Sequence, residues 1–208
     1  MEFIIIWLFL IIVILLIVLA YFLAFIALFG PPFVPTPQKT VNEILKKLKL
    51  KKGTVFYDLG CGDGRVVRSA VKNYGVTGIG VDLNPFLIFY CRLVVWLQNI
   101  LHCVIPAQAG IYKDNLYRFR VKPGMTRKEE KGNISYICTS FFKINLANAE
   151  IIYMYPVPMV ISKLVKKFET ECQRGTIVVS YCFEIKEWKQ KLIDEAIINH
   201  KSVFFYRV

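Results

Sequence analysis

Apolar positions divide the chain into two unlike parts. From Phe3 to Phe29 there are 27 consecutive residues without a charge or an Asn, Gln, Gly or Pro. As a helix at ~1.5 Å per residue this run reaches ~40 Å, more than the ~30 Å hydrocarbon core of a bilayer, so it reads as one membrane span with tilt or spare length. Trp7 and Tyr21 lie towards its interfaces, Tyr21 deep for a belt residue. Gly30, Pro31 and Pro32 end it. A cleaved signal peptide would need a basic start, a shorter apolar core and a small-residue cleavage site. This chain has Glu2, a long core and no such site, so a retained anchor is expected.

The remainder alternates short apolar runs with helical spacings. Residues 33–37, FVPTP, read as a stiff extended linker. Val41, Ile44, Leu45 and Leu48 predict a helix over 41–50, with Thr40 as its N-cap. Buried strands are predicted over 54–59, 78–83, 134–138, 150–155 and 176–182, and a last one over 202–208. Helices are predicted over 65–74, 85–101, 159–172 and 187–199. Residues 102–132 carry a net charge of +4 and are far longer than the ~2–6 residues usual between a helix and a strand, so they read as a surface insertion. The stretch also resembles a repeat peptide carried in frame by unrelated bacterial proteins, which implies a bacterial source and no role of its own.

This alternation predicts an α/β, Rossmann-like parallel sheet with helices on both faces, preceded by one transmembrane helix. The expected organisation is an anchor over 1–30, a linker and lid helix over 31–53, and the α/β domain over 54–208. Six strands are legible.

Composition sharpens this picture. The chain is 55% hydrophobic, with a mean hydropathy of +0.46, and the anchor accounts for the excess. Its 208 residues exclude a multidomain machine, a disordered chain and a polytopic transporter. The net charge is +12, and Glu2 is the only charge before Lys39, so everything beyond the anchor sums to +13. Beside an apolar helix, anionic lipid is the simplest partner for that charge; nucleic acid stays open. Lys39, Lys46, Lys47 and Lys49 follow the anchor and nothing basic precedes it, so the domain is expected on the cytoplasmic side of a membrane. The cluster from Lys46 to Lys52 reads as a solvated, lipid-facing surface. Six scattered cysteines with no C-x-x-C pair, and only two histidines, argue against a metal site and for buried, reduced thiols.

The chemistry concentrates in YDLGCGDGR, residues 57–65. A strand ends in Asp58, and Gly60, Gly62 and Gly64 lead into a helix. Glycines there let backbone approach a ligand, and the end of the first strand of such a sheet is where a nucleotide-like ligand binds. The G-x-G-x-G spacing is one residue shorter than the dinucleotide fingerprint, and no G-K-[ST] follows. Asp58 and Asp63 flank the loop and disfavour a pyrophosphate; they suit a cationic ligand with a free amino group, such as S-adenosylmethionine. Asp82 ends the second strand, where a carboxylate accepts hydrogen bonds from both hydroxyls of a ribose. Its alternative role is a helix N-cap, an alternative that weighs as much as ligand contact for Asn84 before Pro85. Phe86, Phe89, Tyr90 and Trp96 have near-helical spacing and are expected in the core rather than in a substrate groove.

DLGCGDGR followed by GVDLNP resembles the class I S-adenosylmethionine-dependent methyltransferases. With FVPTP, LNPFLIFYCRLVVW, YPVPM and GTIVVSYCF, the likeness narrows to a family of membrane-anchored protein lysine methyltransferases. Mitochondrial members of that family modify the ATP synthase c-subunit and the adenine nucleotide translocase. The resemblance covers about residues 33–208. It implies S-adenosyl-L-methionine as cofactor and a protein lysine as acceptor. By position, Asp58, Gly60, Cys61, Gly62, Asp63 and Gly64 would hold the methionine part. Asp82 would hold the ribose, and Leu83, Asn84, Ser140 and Phe141 would border the adenine. Thr36 would belong to a lid, and Tyr155 and Pro156 to the acceptor site. Tyr155 is equally an ordinary strand aromatic.

YPVP lacks the Asn or Asp of the N-P-P-Y signature of adenine or glutamine amide methylation. The alternatives are a lipid or small hydrophobic acceptor and a non-catalytic cofactor-binding scaffold. RNA is favoured by net charge alone, and the basic residues lie near the anchor rather than in an aromatic-lined groove.

Overall fold

The computed structural model describes residues 2–29, 34–104 and 133–208; for residues 2, 4, 22–29, 99 and 101–104 it describes the backbone alone. The chain forms two compact units, Met1–Val34 and Pro35–Val208.

The first unit is one helix, α1 (Glu2–Phe29). Its described side chains are nearly all exposed and apolar. Among the described residues no helix is long and apolar enough to cross a membrane. The uninterrupted run of described side chains in α1 is residues 5–21, or ~26 Å of helix against a ~30 Å hydrocarbon core. Membrane insertion of α1 is therefore not shown by the described residues.

The second unit runs α2 (Gln38–Lys47), β1 (Val55–Leu59), α3 (Arg65–Tyr74), β2 (Thr77–Asp82), α4 (Pro85–Val104), β3 (Ile134–Cys138) and β4 (Ile151–Met154). It continues through α5 (Pro158–Glu171), β5 (Ile177–Tyr181), a 3-10 helix (Lys186–Lys191), β6 (Leu192–Ile198) and β7 (Lys201–Arg207). Seven strands form one sheet in the order β3-β2-β1-β4-β5-β7-β6. β1 to β5 pair in parallel, and β7 runs antiparallel to both its neighbours.

The period-2 alternation of the strands divides the core between two faces. Phe56, Tyr153, Val179, Tyr181, Val203 and Phe205 pack beneath α2, α3 and α4. Their sequence neighbours Tyr57, Leu59, Ile152, Met154, Val178, Phe204 and Tyr206 pack with α5 and Trp188 on the other side. Helices thus cover both faces, as the βα alternation predicts.

Local expectations fail at several points. The helix expected over 187–199 is a 3-10 turn followed by strand β6, so the sheet has seven strands and not six. Glu187, Lys189, Gln190, Lys191 and Glu195 favour helix by propensity, but pairing with β7 overrides it. The decisive local feature is the turn: Asn199 and His200 both have positive φ, 49° and 63°, the signature of a two-residue hairpin. Thr40 is not an N-cap. Pro37 precedes α2, and Thr40 lies buried inside it, accepting a hydrogen bond from Asn199 Nδ2 at 2.7 Å.

The aromatics of α4 are not core. Phe86, Phe89, Tyr90 and Trp96 are exposed, because Ile88, Cys91 and Val95 already supply the face that meets the sheet. The thiols are free among the described residues, as expected, but only Cys61 and Cys91 are buried. The expected insertion over 102–132 begins inside α4, which runs to Val104; the rest of it lies outside the described residues.

Candidate active site

The sheet brings the candidate residues to one edge. β1, β2, β3 and β4 are parallel and nearly level: Leu59 sits opposite both Val81 and Met154, and Asp82 opposite Cys138. Asp58, Asp82, Ser140 and Tyr155 therefore all lie at the carboxyl ends of strands. Chain order reverses between β1 and β4, which opens the crevice where ligands of such sheets bind.

The glycine loop after β1 is pinned from β2. Gly60 and Cys61 donate their N–H groups to the Val81 carbonyl at 2.8 and 3.0 Å, and Gly64 N–H reaches the Cys61 carbonyl at 2.8 Å. Gly60, Gly62 and Gly64 all hold φ between 54° and 82°, a left-handed conformation that glycine adopts without a Cβ penalty. At Gly60 a Cβ would meet open space, whereas at Gly64 it would strike the Tyr136 hydroxyl at 2.5 Å. The Gly60 side of the loop is thus open to a ligand, and the Gly64 side is packed against Tyr136. From below, Tyr136 donates to the Gly64 carbonyl at 3.2 Å, and Cys91 Sγ donates to the Gly62 carbonyl at 3.3 Å.

Asp82 connects this loop to α4. One carboxylate oxygen accepts from Gly62 N–H at 2.9 Å and the other from Asn84 N–H at 2.8 Å. Each oxygen has two acceptor directions, so capacity remains for a ligand diol. Asn84 is the N-cap of α4: its Oδ1 accepts from Phe86 N–H at 3.0 Å and from Leu87 N–H at 3.4 Å. The capping reading holds for Asn84 and not for Asp82. Leu83 is half exposed beside them.

Asp58 is the unusual group. Its side chain is 2% exposed, and Oδ2 has no hydrogen-bond partner among the described residues. Burial pushes its carboxyl well above the ordinary carboxylate range, and the nearby Asp82 and Asp63 carboxylates push it further. A buried, unsatisfied carboxylate beside an open glycine is costly unless a donor, best a cation, completes it.

Asp63 does not point a free carboxylate into the crevice. It is paired with Arg65, whose Nε lies 2.9 and 3.0 Å from its two oxygens and whose NH2 lies 2.8 Å from Oδ2. The same guanidinium donates from NH1 to the Thr36 carbonyl at 3.1 Å. Thr36 is buried, and its hydroxyl lies 3.1 Å from that of Tyr153. The segment expected as a lid is therefore latched at two points. Arg65 and Tyr153 were not legible as site residues; the R of DGR and the Y of IIYMY were the available signals.

The remaining candidates follow β3 and β4. Ser140 accepts from Phe142 N–H at 3.4 Å and shapes the turn after β3. Phe141 packs against the α5-side core and against the Phe142 ring, 4.8 Å between centroids. Tyr155 is half buried, with its ring 4.8 Å from that of Tyr181 and 6.2 Å from that of Phe183; Pro156 beside it is buried. Lys201 Nζ sits 5.8 Å from the Tyr155 ring and 5.7 Å from the Tyr181 ring. This aromatic rim already carries an ammonium over its faces, a cation–π arrangement. Among the described residues no cluster of His, Cys, Asp and Glu could hold a metal ion.

Comparison with known proteins identifies the family. A protein-lysine N-methyltransferase of Saccharolobus islandicus (strain REY15A) is 31% identical over 179 residues, which cover 84% of this chain and 92% of the relative. The chain belongs to the protein-lysine N-methyltransferase family. It is a class I S-adenosyl-L-methionine-dependent methyltransferase, and that molecule is its cofactor. The lysine N-methyltransferase of the ATP synthase c-subunit from Mus musculus is 27% identical over 157 residues, 76% of this chain and 51% of the relative, so the chain spans about half of that protein. A family model described as mycolic acid cyclopropane synthetase matches residues 36–87, the stretch from Thr36 to the start of α4. Among solved structures, an RNA methyltransferase from Salinibacter ruber in complex with S-adenosyl-L-homocysteine superposes with a TM-score of 0.63. That match has 22% identity and covers 84% of this chain and 94% of that one. A precorrin-6y C5,15-methyltransferase from Geobacter metallireducens GS-15 gives 0.54 at 11% identity, covering 84% and 89%. These two establish the fold of the methyltransferase domain.

Proposed function

We propose that this methyltransferase is membrane-anchored and transfers methyl groups to a lysine side chain of a protein at or near the bilayer. The observation that carries the cofactor half is the cradle itself: open Gly60, unsatisfied buried Asp58 and the Asp82 carboxylate on one sheet edge. When bound, S-adenosyl-L-methionine supplies an electrophilic methyl group for in-line transfer to an amine. Asp58 and the loop from Gly60 to Gly64 hold the methionine end, with Asp58 completed by the cationic groups there. Asp82 accepts the ribose hydroxyls, and Leu83 borders the adenine. Cys61 and Gly62 shape the loop through backbone bonds, Asp63 acts through Arg65, and Arg65 holds the Thr36 lid.

Tyr155 and Pro156 form the acceptor rim. A lysine amine needs alignment and loss of its proton more than it needs a covalent catalyst, so positioning supplies much of the rate. The support for lysine is the family, together with a rim whose rings already accept an ammonium. The cyclopropane synthetase match stops at residue 87, before the acceptor side, and so carries no lipid acceptor.

Anchoring rests on α1 and on the 27 uncharged residues from Phe3 to Phe29. The lysines that follow support a cytoplasmic orientation of the domain, with a bacterial inner membrane as the expected site and anionic lipid as the partner of the basic flank. In intact cells, a tag in front of Phe3 should react with a membrane-impermeant reagent and a tag after Val208 should not. The reverse pattern would overturn this topology.

The acceptor is tested by incubating membranes from a deletion strain with the purified chain and tritiated S-adenosyl-L-methionine. Label recovered as methyl-lysine in membrane protein is the expected result. Label in lipid or RNA would replace the lysine reading, and none despite cofactor binding would replace catalysis with a scaffold role.

A further inference from the structure

We infer that the outer face of α4 is a bilayer-docking surface that seats the methyltransferase domain in the interfacial region of an anionic membrane. Phe89, Tyr90, Leu93, Trp96, Leu97 and Ile100 recur at helical spacing, and each is between 38% and 67% exposed. The opposite face, Ile88, Cys91 and Val95, is buried against the sheet. Most surface helices turn a polar face outward, whereas α4 is apolar on both.

Three observations select lipid as the occupant. First, α4 has no acidic residue, and its one formal charge, on Arg92, lies at the flank of the stripe: the residue is exposed, and its Nε and NH2 donate to the Tyr136 carbonyl at 3.2 and 2.7 Å. An apolar stripe with Tyr and Trp among aliphatic side chains has the composition of an interfacial helix. Second, α1 and the second unit are consecutive in sequence, so an anchor in the bilayer would tether the domain to the membrane by a short covalent connection. Third, the chain beyond α1 carries +13, which attracts anionic headgroups and opposes pairing of two copies.

This docking gives the site a direction. Pro85 opens α4 three residues after Asp82, so the stripe begins at the cofactor loop. A docked α4 holds that edge of the sheet at headgroup level, where the lysines of membrane proteins concentrate. The inference rests on the anchoring reading, and the test separates the two.

The chain has three tryptophans, Trp7, Trp96 and Trp188, and Trp188 is 2% exposed. The full-length Trp7→Phe variant, in vesicles of phosphatidylcholine and phosphatidylglycerol containing brominated phosphatidylcholine, reports on α4. The Trp96→Phe variant reports on α1. The expected result is loss of most Trp96 emission to bromolipid, little quenching by aqueous iodide, and an unchanged Trp188 signal. Trp96 open to iodide but untouched by bromolipid, with Trp7 quenched, overturns docking and keeps the anchor. Trp96 shielded from both quenchers shows a protein cover, a second copy or residues 105–132, and also overturns docking. Trp96 quenched while Trp7 is not leaves docking standing and removes the anchor.

Discussion

Asp82→Ala is expected to weaken S-adenosyl-L-methionine binding by on the order of 10²–10³-fold, the largest effect of any single substitution in the site. The carboxylate offers a ribose two charge-assisted hydrogen bonds, each worth about 1.5–3 kcal/mol where water is excluded. The same group holds Gly62 N–H and Asn84 N–H, so the apoprotein also loses about 1–3 kcal/mol. Calorimetric titration with the cofactor and thermal unfolding without it separate the two effects. Asn84→Ala is the comparison: it removes the cap on α4, costs about 1 kcal/mol, and should leave affinity within a few-fold. Unchanged affinity in Asp82→Ala would remove the ribose assignment, and equal losses in both variants would reduce Asp82 to a structural tie.

Asp58→Asn is expected to move stability and binding in opposite directions. Burial and two neighbouring carboxylates raise the Asp58 pKa, so the folded chain binds this proton more tightly than the unfolded chain does. Stability therefore falls as pH rises from the ordinary carboxylate value to the raised one, and is flat above it. Asn cannot ionise, so the variant should be the more stable apoprotein at neutral pH, with a gain in Tm of ~2–4 °C for each kcal/mol recovered. Cofactor affinity should fall about 10- to 100-fold, because the cationic ligand loses its charged partner. At a pH below the raised Asp58 pKa, binding to the native chain should release a proton, seen as a dependence of the calorimetric heat on the buffer's ionisation enthalpy, and the Asp58→Asn substitution should abolish that dependence. A less stable variant would show that Asp58 is satisfied in the apoprotein. Undiminished affinity would show that it does not face the ligand.

Much of this site was legible along the chain because its chemistry is local. Asp58, the three alternate glycines and Asp82 lie within 25 residues, and each acts through backbone conformation or a strand end. The residues that were missed act across the fold. Arg65 latches Thr36 29 positions away, Tyr153 meets Thr36 117 positions away, and Tyr136 closes on Gly64 from β3. Asp63 reads as a ligand contact in the motif, yet a guanidinium two residues on occupies it. Phe141 reads as an adenine neighbour, and only the fold shows that one side of its ring also packs against the α5-side core.

One misread helix and one misread helix face show the same limit. The segment over 187–199 has helix-forming residues, and only pairing with β7 across the Asn199–His200 turn makes it a strand. On α4 the apolar spacing is helical on both faces, so periodicity establishes the helix without saying which face the sheet takes. By itself the sequence determined the family, the βα alternation, the glycine cradle and an uncharged N-terminal helix, because each depends on neighbours a few residues apart. Tertiary structure alone decided the seventh strand, the contacts that hold Thr36 to Arg65 and Tyr153, the unsatisfied burial of Asp58 and the outward face of α4. Those depend on which distant surfaces meet, and burial is a property of the packed molecule rather than of any segment.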